Sequence, residues 1–273
     1  MGFAKYGEDI VSRYVSDRHL QRSRRPAAGP GCANGQHRPK PKGEEKKMSA
    51  FSKFAVAAAR PLPVLVLADT SGSMSEGGKI QALNAALKDM VKSFSRESRL
   101  RAEIQVGLIT FGGTAHLQLP LAAAQAIAAV DDLTATGKTP LGAALNLARE
   151  LLEDSERIPS RAYRPVLILL SDGRPTDDWR APFEALCKSE RANKASRLAM
   201  AIGADADEAL LKSFANDPYA PLFKAHNARD IHQFFRAVTM SVAARAASQN
   251  PDLSAAFELP SAFEVDDLDL DFK

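Results

Sequence analysis

The sequence predicts an α/β fold in which helices cover both faces of a doubly wound, mostly parallel sheet. Short, continuous apolar runs alternate with longer amphipathic segments between about residues 60 and 248. Apolar runs without polar alternation are typical of strands that are buried on both faces. The alternation of strands with helices of this length implies crossover connections, which join parallel strands.

The predicted strands come from apolar runs of four to eight residues. The first, at residues 63–68, contains no polar side chain, as expected for a strand covered on both faces. The other predicted strands are at residues 104–111, 116–119, 166–170, 198–202 and 222–225. Only four residues separate the second strand from the third. These two are therefore expected to form an antiparallel hairpin at one edge of the sheet.

The predicted helices come from apolar residues spaced three or four apart. The first helix carries such a stripe from Ile80 to Phe94, and the last carries one from Ile231 to Val242. Between them, helices are predicted at residues 141–152, 179–195 and 208–214. Together these strands and helices define one predicted domain, residues 60–248.

Charge is distributed unevenly along the 273 residues, although the formal net charge is only +3. Residues 1–47 contain 11 Lys/Arg and 5 Asp/Glu, and their richness in Pro and Gly predicts a basic, disordered N-terminal extension. Residues 250–273 contain one Lys and seven Asp/Glu. Residues 249–273 are therefore predicted to be an acidic, flexible tail that binds through its aromatic side chains. A nucleic-acid-binding arm is the less favoured interpretation of the basic extension.

Composition excludes several classes of protein. A hydrophobic fraction of 45% excludes disorder throughout, and two cysteines do not make a disulfide scaffold. Cys32 and Cys187 are not expected to pair or to form a metal cluster. No apolar run approaches the length of about 18 residues that a membrane span needs, and the N-terminus lacks a secretory pattern. We therefore expect a cytoplasmic protein without a membrane span.

Polar residues follow two of the predicted strands, where ligands bind in doubly wound sheets. Asp69 closes the first strand, and Ser71 and Ser73 lie two and four residues further on. One carboxylate and two hydroxyls make a hard-oxygen site suited to Mg²⁺. For this segment alone, the alternative is a Ser-rich turn that caps the next helix. Asp172 likewise ends a later strand.

A third polar segment precedes another predicted helix. Thr139 stands before Pro140, a residue favoured at the first helical position, so N-capping explains Thr139 on its own. Asp177 or Asp178 is expected to cap the helix that starts near Trp179 rather than to bind a metal.

Taken together and in this order, these residues resemble the metal-ion-dependent adhesion site (MIDAS) of the von Willebrand factor type A (VWA) domain. The Asp-x-Ser-x-Ser motif corresponds to Asp69, Ser71 and Ser73, the separate threonine to Thr139, and the separate aspartate to Asp172. The resemblance covers roughly residues 60–248. The segments around Asp69, Thr139 and Asp172 further resemble bacterial tellurium-resistance proteins of the TerY type.

The resemblance implies that Ser71 and Ser73 bind Mg²⁺ directly, with Mn²⁺ or Ca²⁺ as alternatives. Thr139 would bind directly or through water, and Asp69 and Asp172 largely through waters or the hydroxyls. An acidic residue of a protein partner would fill the remaining position. The implied function is a non-enzymatic scaffold or switch in a bacterial cytosolic stress and tellurite-resistance system, with a protein kinase and a phosphatase as partners.

Other functions stay open on the sequence. A subunit coupled to an ATPase motor would share the same metal site. A metal-dependent phosphatase that uses Asp69 is less favoured, because that chemistry needs a second carboxylate at position 71, which is Ser. A nucleic acid is not expected as a partner. The acidic tail, which contains Glu258, Glu264 and Asp266, could reach the metal of its own or a neighbouring molecule and so cause self-association.

Overall fold

The computed structural model describes residues 59–97, 101–216 and 222–252, which form a six-stranded sheet covered by helices on both faces. The strands are β1 (Arg60–Asp69), β2 (Ala102–Gly112), β3 (Thr114–Ala123), β4 (Val166–Ser171), β5 (Ser196–Ile202) and β6 (Phe223–Ala225). Their order across the sheet is β3-β2-β1-β4-β5-β6, and all neighbours are parallel except β2 and β3. The predicted fold class is confirmed, including the antiparallel hairpin at one edge.

The helices of the described residues are α1 (Lys79–Arg96), α2 (Leu141–Glu153), α3 (Arg180–Lys188), α4 (Glu208–Phe214) and α5 (Ala228–Ala247). The predicted helix 179–195 is wrong in its second half, because α3 ends at Lys188 and a short 3-10 segment, Ala192–Lys194, leads into β5. The Glu153 carboxylate accepts the backbone N–H groups of Arg191 at 2.9 Å and Ala192 at 2.7 Å. These bonds hold the chain against the end of α2 and away from a helical path.

The sheet separates two apolar layers, because successive side chains of a strand point to opposite faces. On β1, Leu62, Val64 and Val66 pack in the layer of α1 and α5, whereas Leu65 and Leu67 pack in the layer of α2, α3 and α4. All five side chains are buried. Strand β1 is therefore covered on both faces, as its unbroken apolar sequence predicts.

The strand order reverses at the boundary between β1 and β4. The chain passes from β1 to β2 on one side and from β4 to β5 on the other, so the loops that follow β1 and β4 diverge. Such a divergence leaves a crevice at the carboxyl ends of the strands, which is the usual ligand position in this class of sheet. Asp69 and Asp172 both lie at that edge.

The predicted basic extension, residues 1–47, lies outside the described residues, and so does the predicted acidic tail beyond residue 252. The elements from β1 to α5 lie within the predicted domain, residues 60–248. In the described part of the chain, none of the helices combines the length and the apolar composition that a bilayer crossing requires.

Candidate metal centre

Two buried carboxylates lie near each other at the carboxyl ends of β1 and β4. These strands are hydrogen-bonded neighbours, and Ala68 pairs with Leu170 just before the two aspartates. Asp69 is fully buried and Asp172 is 1% exposed. Burying an ionised carboxylate is costly unless it is paired or hydrogen-bonded. The contacts of these two groups therefore decide what the site can hold.

Asp69 receives a hydrogen bond on each carboxylate oxygen. The backbone N–H of Ser71 donates to Oδ1 at 2.8 Å, and the Ser171 hydroxyl donates to Oδ2 at 2.7 Å. Burial nevertheless raises the pKa of Asp69 above its ordinary value of 3.8, against the lowering effect of these hydrogen bonds, and the charge of Asp172 raises it further. A cation next to Asp69 would lower the free energy of the ionised carboxylate and so offset the penalty of its burial.

Asp172 joins both serines of the motif into the same network. The Ser73 hydroxyl donates to Oδ1 of Asp172 at 2.7 Å, and the hydroxyl oxygens of Ser71 and Ser73 lie 3.1 Å apart. The ammonium of Lys79, the first residue of α1, donates to Oδ2 of Asp172 at 2.8 Å. Lys79 thus supplies one positive charge to a pair of carboxylates.

Thr139 belongs to a loop that crosses the motif loop and the β2–β3 hairpin. The N–H of Gly72 donates to the carbonyl of Gly137 at 3.0 Å. Gly137 has a φ of +74°, and a Cβ on it would lie 2.5 Å from the Cα of Gly113, so glycine alone fits this crossing. The crossing holds the Thr139 segment beside the two serines, and Thr139 itself is buried.

The expectation that Thr139 caps α2 is wrong. The N-cap residue of α2 is Pro140, and the carboxylate of Asp177 accepts the N–H groups of Gly142 at 2.9 Å and Ala143 at 3.0 Å. Of the two residues expected to cap the helix near Trp179, Asp178 accepts the N–H of Arg180, the first residue of α3, at 3.1 Å. Asp177 instead caps α2 from another loop. Because Asp177 satisfies the start of α2, the Thr139 hydroxyl is not required there and is available to a metal.

The donor set fits a hard divalent cation. It consists of hydroxyl and carboxylate oxygens, and within the described residues no group of three or more His, Cys, Asp or Glu side chains is placed to hold a metal. Two oxygen ligands at right angles, each about 2.1 Å from Mg²⁺, lie about 3.0 Å apart; the Ser71 and Ser73 hydroxyls are 3.1 Å apart. Ser73 is exposed, whereas Ser71 and both carboxylates are buried, so the site opens to solvent on the side of Ser73.

The hydrogen-bond network contains all the predicted site residues except Thr139, which lies on the adjoining loop. Sequence reasoning assigned no role to Ser171 or Lys79, and it did not find that Asp177 caps α2. Ser171 could have been found as the hydroxyl next to a strand-end aspartate. Nothing in the local sequence marks Lys79 as a partner of Asp172, because their contact depends on how α1 packs against the sheet.

Comparison with known protein families and curated proteins gives two matches. A model of the von Willebrand factor type A domain family matches residues 64–237. The uncharacterized protein YfbK of Escherichia coli K12 is 30% identical over 152 residues, which is 52% of this chain and 25% of YfbK. The chain thus spans about a quarter of the length of this curated relative.

Solved structures of low sequence identity share the fold. The von Willebrand factor type A protein from Catenulispora acidiphila has a TM-score of 0.55 and 21% identity, over 67% of this chain and 43% of that one. Proximal thread matrix protein 1 from the mussel byssus, in a structure with a zinc-occupied MIDAS motif, has a TM-score of 0.50 and 17% identity, over 68% of this chain and 48% of that one. At such identities the likeness establishes the fold alone.

The buried charge of Asp69 predicts that Asp69→Asn stabilises the metal-free protein. Because burial raises the folded-state pKa of Asp69, ionisation of this carboxyl group destabilises the folded protein. The destabilisation grows as the pH rises from about 3.8, and it is complete above the raised pKa. In EDTA at neutral pH we expect the melting temperature to rise by about 2–4 °C, which corresponds to roughly 1 kcal/mol in a domain of this size. The gain should shrink as the pH is lowered.

The matched variant is Asp172→Asn, which removes a carboxylate that is already paired with Lys79. We expect no stabilisation from it. An unchanged or lower melting temperature for Asp69→Asn at neutral pH would contradict the electrostatic interpretation of the site.

Asp177→Ala removes both acceptor oxygens from the start of α2. Loss of such a cap costs about 0.5–2 kcal/mol, and we expect the free energy of unfolding, from urea titration in EDTA, to fall by this amount. Asp205 is an exposed carboxylate after β5 and provides the control; Asp205→Ala should change stability by less than about 0.5 kcal/mol. Equal losses in the two variants would argue against the capping role.

Proposed function

Because the chain belongs to the von Willebrand factor type A domain family, we propose that it binds a protein partner through a divalent cation held at the carboxyl edge of its sheet. One observation carries the proposal: the hydroxyls of Ser71 and Ser73 and the carboxylate of Asp172 form one hydrogen-bonded network, which the Ser71 N–H links to the buried Asp69. Family membership supports an interaction module, and the oxygen donors support its dependence on a metal.

We assign the metal as Mg²⁺, with Mn²⁺ and Ca²⁺ as alternatives, because every donor is a hard oxygen. The hydroxyls of Ser71, Ser73 and Thr139 would hold it. Asp69 and Asp172 would act mainly by orienting hydroxyls and waters, since their oxygens already accept hydrogen bonds from the protein. When bound, the cation supplies a Lewis-acidic position for an oxygen of the partner.

The partner group that suits this position is a carboxylate. With few direct anionic ligands from this chain, the cation keeps most of its charge, and a Glu or Asp of the partner would make a charge-assisted contact. Lys138 and Arg174, in the loops beside Thr139 and Asp172, are exposed and add positive charge to the same edge.

Binding is favoured over catalysis by the position of Asp69. A nucleophilic aspartate must meet the phosphorus atom of its substrate, yet Asp69 is fully buried and both of its oxygens accept hydrogen bonds. Position 71, where a phosphatase would need a second carboxylate, is Ser. A subunit coupled to an ATPase motor would use the same metal-bridged contact, so it differs in partner and not in chemistry.

The finer proposal is a cytoplasmic scaffold or switch in a bacterial stress and tellurite-resistance system, with a protein kinase and a phosphatase as partners. Its support is the resemblance of the segments around Asp69, Thr139 and Asp172 to TerY-type proteins. The curated relative YfbK is itself uncharacterized and adds no partner.

Two serines, two residues apart, provide a matched test of the site. Ser73→Ala removes a proposed metal ligand, whereas Ser75→Ala removes a hydroxyl that donates to the carbonyl of Gly72 at 2.7 Å. In calorimetric titrations we expect Ser73→Ala to weaken Mg²⁺ binding at least about tenfold, or about 1.4 kcal/mol. Ser75→Ala should stay within about twofold of the wild type.

Partner capture extends the same comparison. Wild type and Ser75→Ala should retain the same proteins from a cell extract in Mg²⁺ and release them in EDTA, whereas Ser73→Ala should retain none in either condition. If the same proteins are retained in EDTA and by Ser73→Ala, the contact is not bridged by a metal.

Substitution of Lys79 is expected to strengthen Mg²⁺ binding, the opposite of the effect of Ser73→Ala. Its ammonium pairs with Asp172 at 2.8 Å and so competes with a cation for that carboxylate. Unit charges about 4 Å apart interact by about 1 kcal/mol in water and by about 4 kcal/mol near a protein surface. The lower value corresponds to about a fivefold change in affinity, so Lys79→Gln should bind Mg²⁺ at least about fivefold more tightly. In EDTA it should melt at a lower temperature, because Asp172 loses its counter-charge.

The control is Lys88→Gln, at a lysine of α1 whose ammonium pairs with the exposed Asp132 at 2.6 Å. This variant should leave Mg²⁺ affinity unchanged. If Lys79→Gln binds Mg²⁺ as wild type does, or more weakly, Lys79 does not oppose the metal.

A further inference from the structure

A basic pocket lies at the opposite edge of the sheet from the metal centre. It has a volume of about 560 Å³ and lies beside Arg60, the first residue of β1, and Pro165, which precedes β4. Of the described residues that line it, four carry positive charge, namely Arg60, Arg164, Arg191 and Lys194, and one, Asp252, is acidic. The pocket therefore has an excess of positive charge.

Backbone carbonyls, which carry no net charge, take up the hydrogen bonds of several of these cations. Arg60 Nε donates to the carbonyl of Arg161 at 2.6 Å, and Arg164 Nε donates to the carbonyl of Lys194 at 2.6 Å. Arg191 donates to the carbonyl of Glu153 at 3.1 Å. Carbonyls fix the guanidinium groups without neutralising them, so the pocket is preorganised to receive carboxylates.

The chain leaves α5 directly into this pocket. The buried Arg245 donates to the carbonyls of Pro251 at 2.9 Å and Arg164 at 3.0 Å, which fixes the segment after α5 against the start of β4. The carboxylate of Asp252 then accepts the N–H of Arg164 at 2.7 Å and lies 3.8 Å from the guanidinium of Arg60. Asp252 is the last described residue of the chain.

We propose that residues 253–273 of this chain bind in the basic pocket of the same molecule. This segment contains six Asp/Glu and one Lys, together with three Phe. Asp252 already makes the first contact of this type, and the acidic residues that follow repeat its chemistry. Charge complementarity and the point where the chain leaves the domain thus identify the same occupant.

Chain length favours this pocket over the molecule's own metal centre. The two sites lie at opposite ends of β1, whose ten residues span about 30 Å. Six extended residues after Asp252 reach at most about 20 Å, so Glu258 can reach the basic pocket but not the metal centre of its own molecule. Glu264 and Asp266, which follow Asp252 by 12 and 14 residues, can span up to about 40–50 Å, so the metal centre is within their reach but the basic pocket is nearer.

Zero-length carbodiimide crosslinking of the full chain tests the proposal, because it joins a lysine amine to a carboxylate in direct contact. Lys194 is exposed and lines the pocket, whereas Lys138, also exposed, lies beside the metal centre. We expect tail carboxylates to crosslink to Lys194 at least about fivefold more than to Lys138, with or without EDTA. Equal yields, no crosslinks, or crosslinks to Lys138 that require Mg²⁺ would overturn the proposal.

Two variants test whether the crosslinks between the tail and Lys194 depend on the charge of the pocket, and not only on the tail starting next to it. Arg60→Gln removes a charge from the pocket but keeps the Lys194 amine. Arg229→Gln is the control: it removes an exposed charge at the start of α5, and Arg229 is not among the described residues that line the pocket. We expect only Arg60→Gln to lower the Lys194 yield, by about threefold or more, without unfolding the protein as judged by circular dichroism. Equal yields in both variants would overturn the proposal.

An equal mixture of ¹⁴N- and ¹⁵N-labelled protein decides whether the contact lies within one molecule. We expect the Lys194 crosslinks to join peptides of the same label. Crosslinks found equally between labels would show that the tail binds a neighbouring copy, which contradicts binding within the molecule.

Discussion

The burial of two neighbouring carboxylates at the reversal of strand order is the constraint on which the rest of the site depends. Asp69 ends β1 and Asp172 directly follows β4, so the parallel pairing of these two strands brings the two charges together away from water. Hydrogen bonds from Ser71, Ser171 and Ser73, with one ammonium from Lys79, offset part of that cost. One positive charge does not balance two negative ones. The divalent cation that we propose would change the net charge of the site from −1 to +1, which a carboxylate of the partner would neutralise.

The loops around the carboxylates leave the hydroxyls of Ser71, Ser73 and Thr139 in position to bind the proposed cation. The close crossing at Gly137 holds the Thr139 loop against the motif loop, and Asp177 caps α2 in place of Thr139. Lys79 joins Asp172 to the first residue of α1. A change in the charge at the site would therefore act on the first residue of α1, a helix that packs across one face of the sheet.

Local patterns predicted most of the fold, and they predicted that Asp69, Ser71, Ser73 and Asp172 meet at one edge of the sheet, because the signals are themselves local. An unbroken apolar run marks a strand buried on both faces, and a short motif after such a strand is placed at the ligand edge by topology alone. Contacts between distant segments explain what was missed. Asp177 caps α2 by accepting the N–H of Gly142, 35 residues earlier, and Glu153, at the end of α2, holds the chain after α3 out of a helical path. Neither contact leaves a periodic trace in the sequence.

The most direct measurement of the central claim is a crystal structure of the full chain grown with Mn²⁺, located by its anomalous scattering. The expected result is one strong peak about 2.1–2.2 Å from the hydroxyl oxygens of Ser71 and Ser73, with the Lys79 ammonium displaced from Asp172. A peak elsewhere, or none at this edge of the sheet with Lys79 still bound to Asp172, would contradict the claim that these residues form a metal centre.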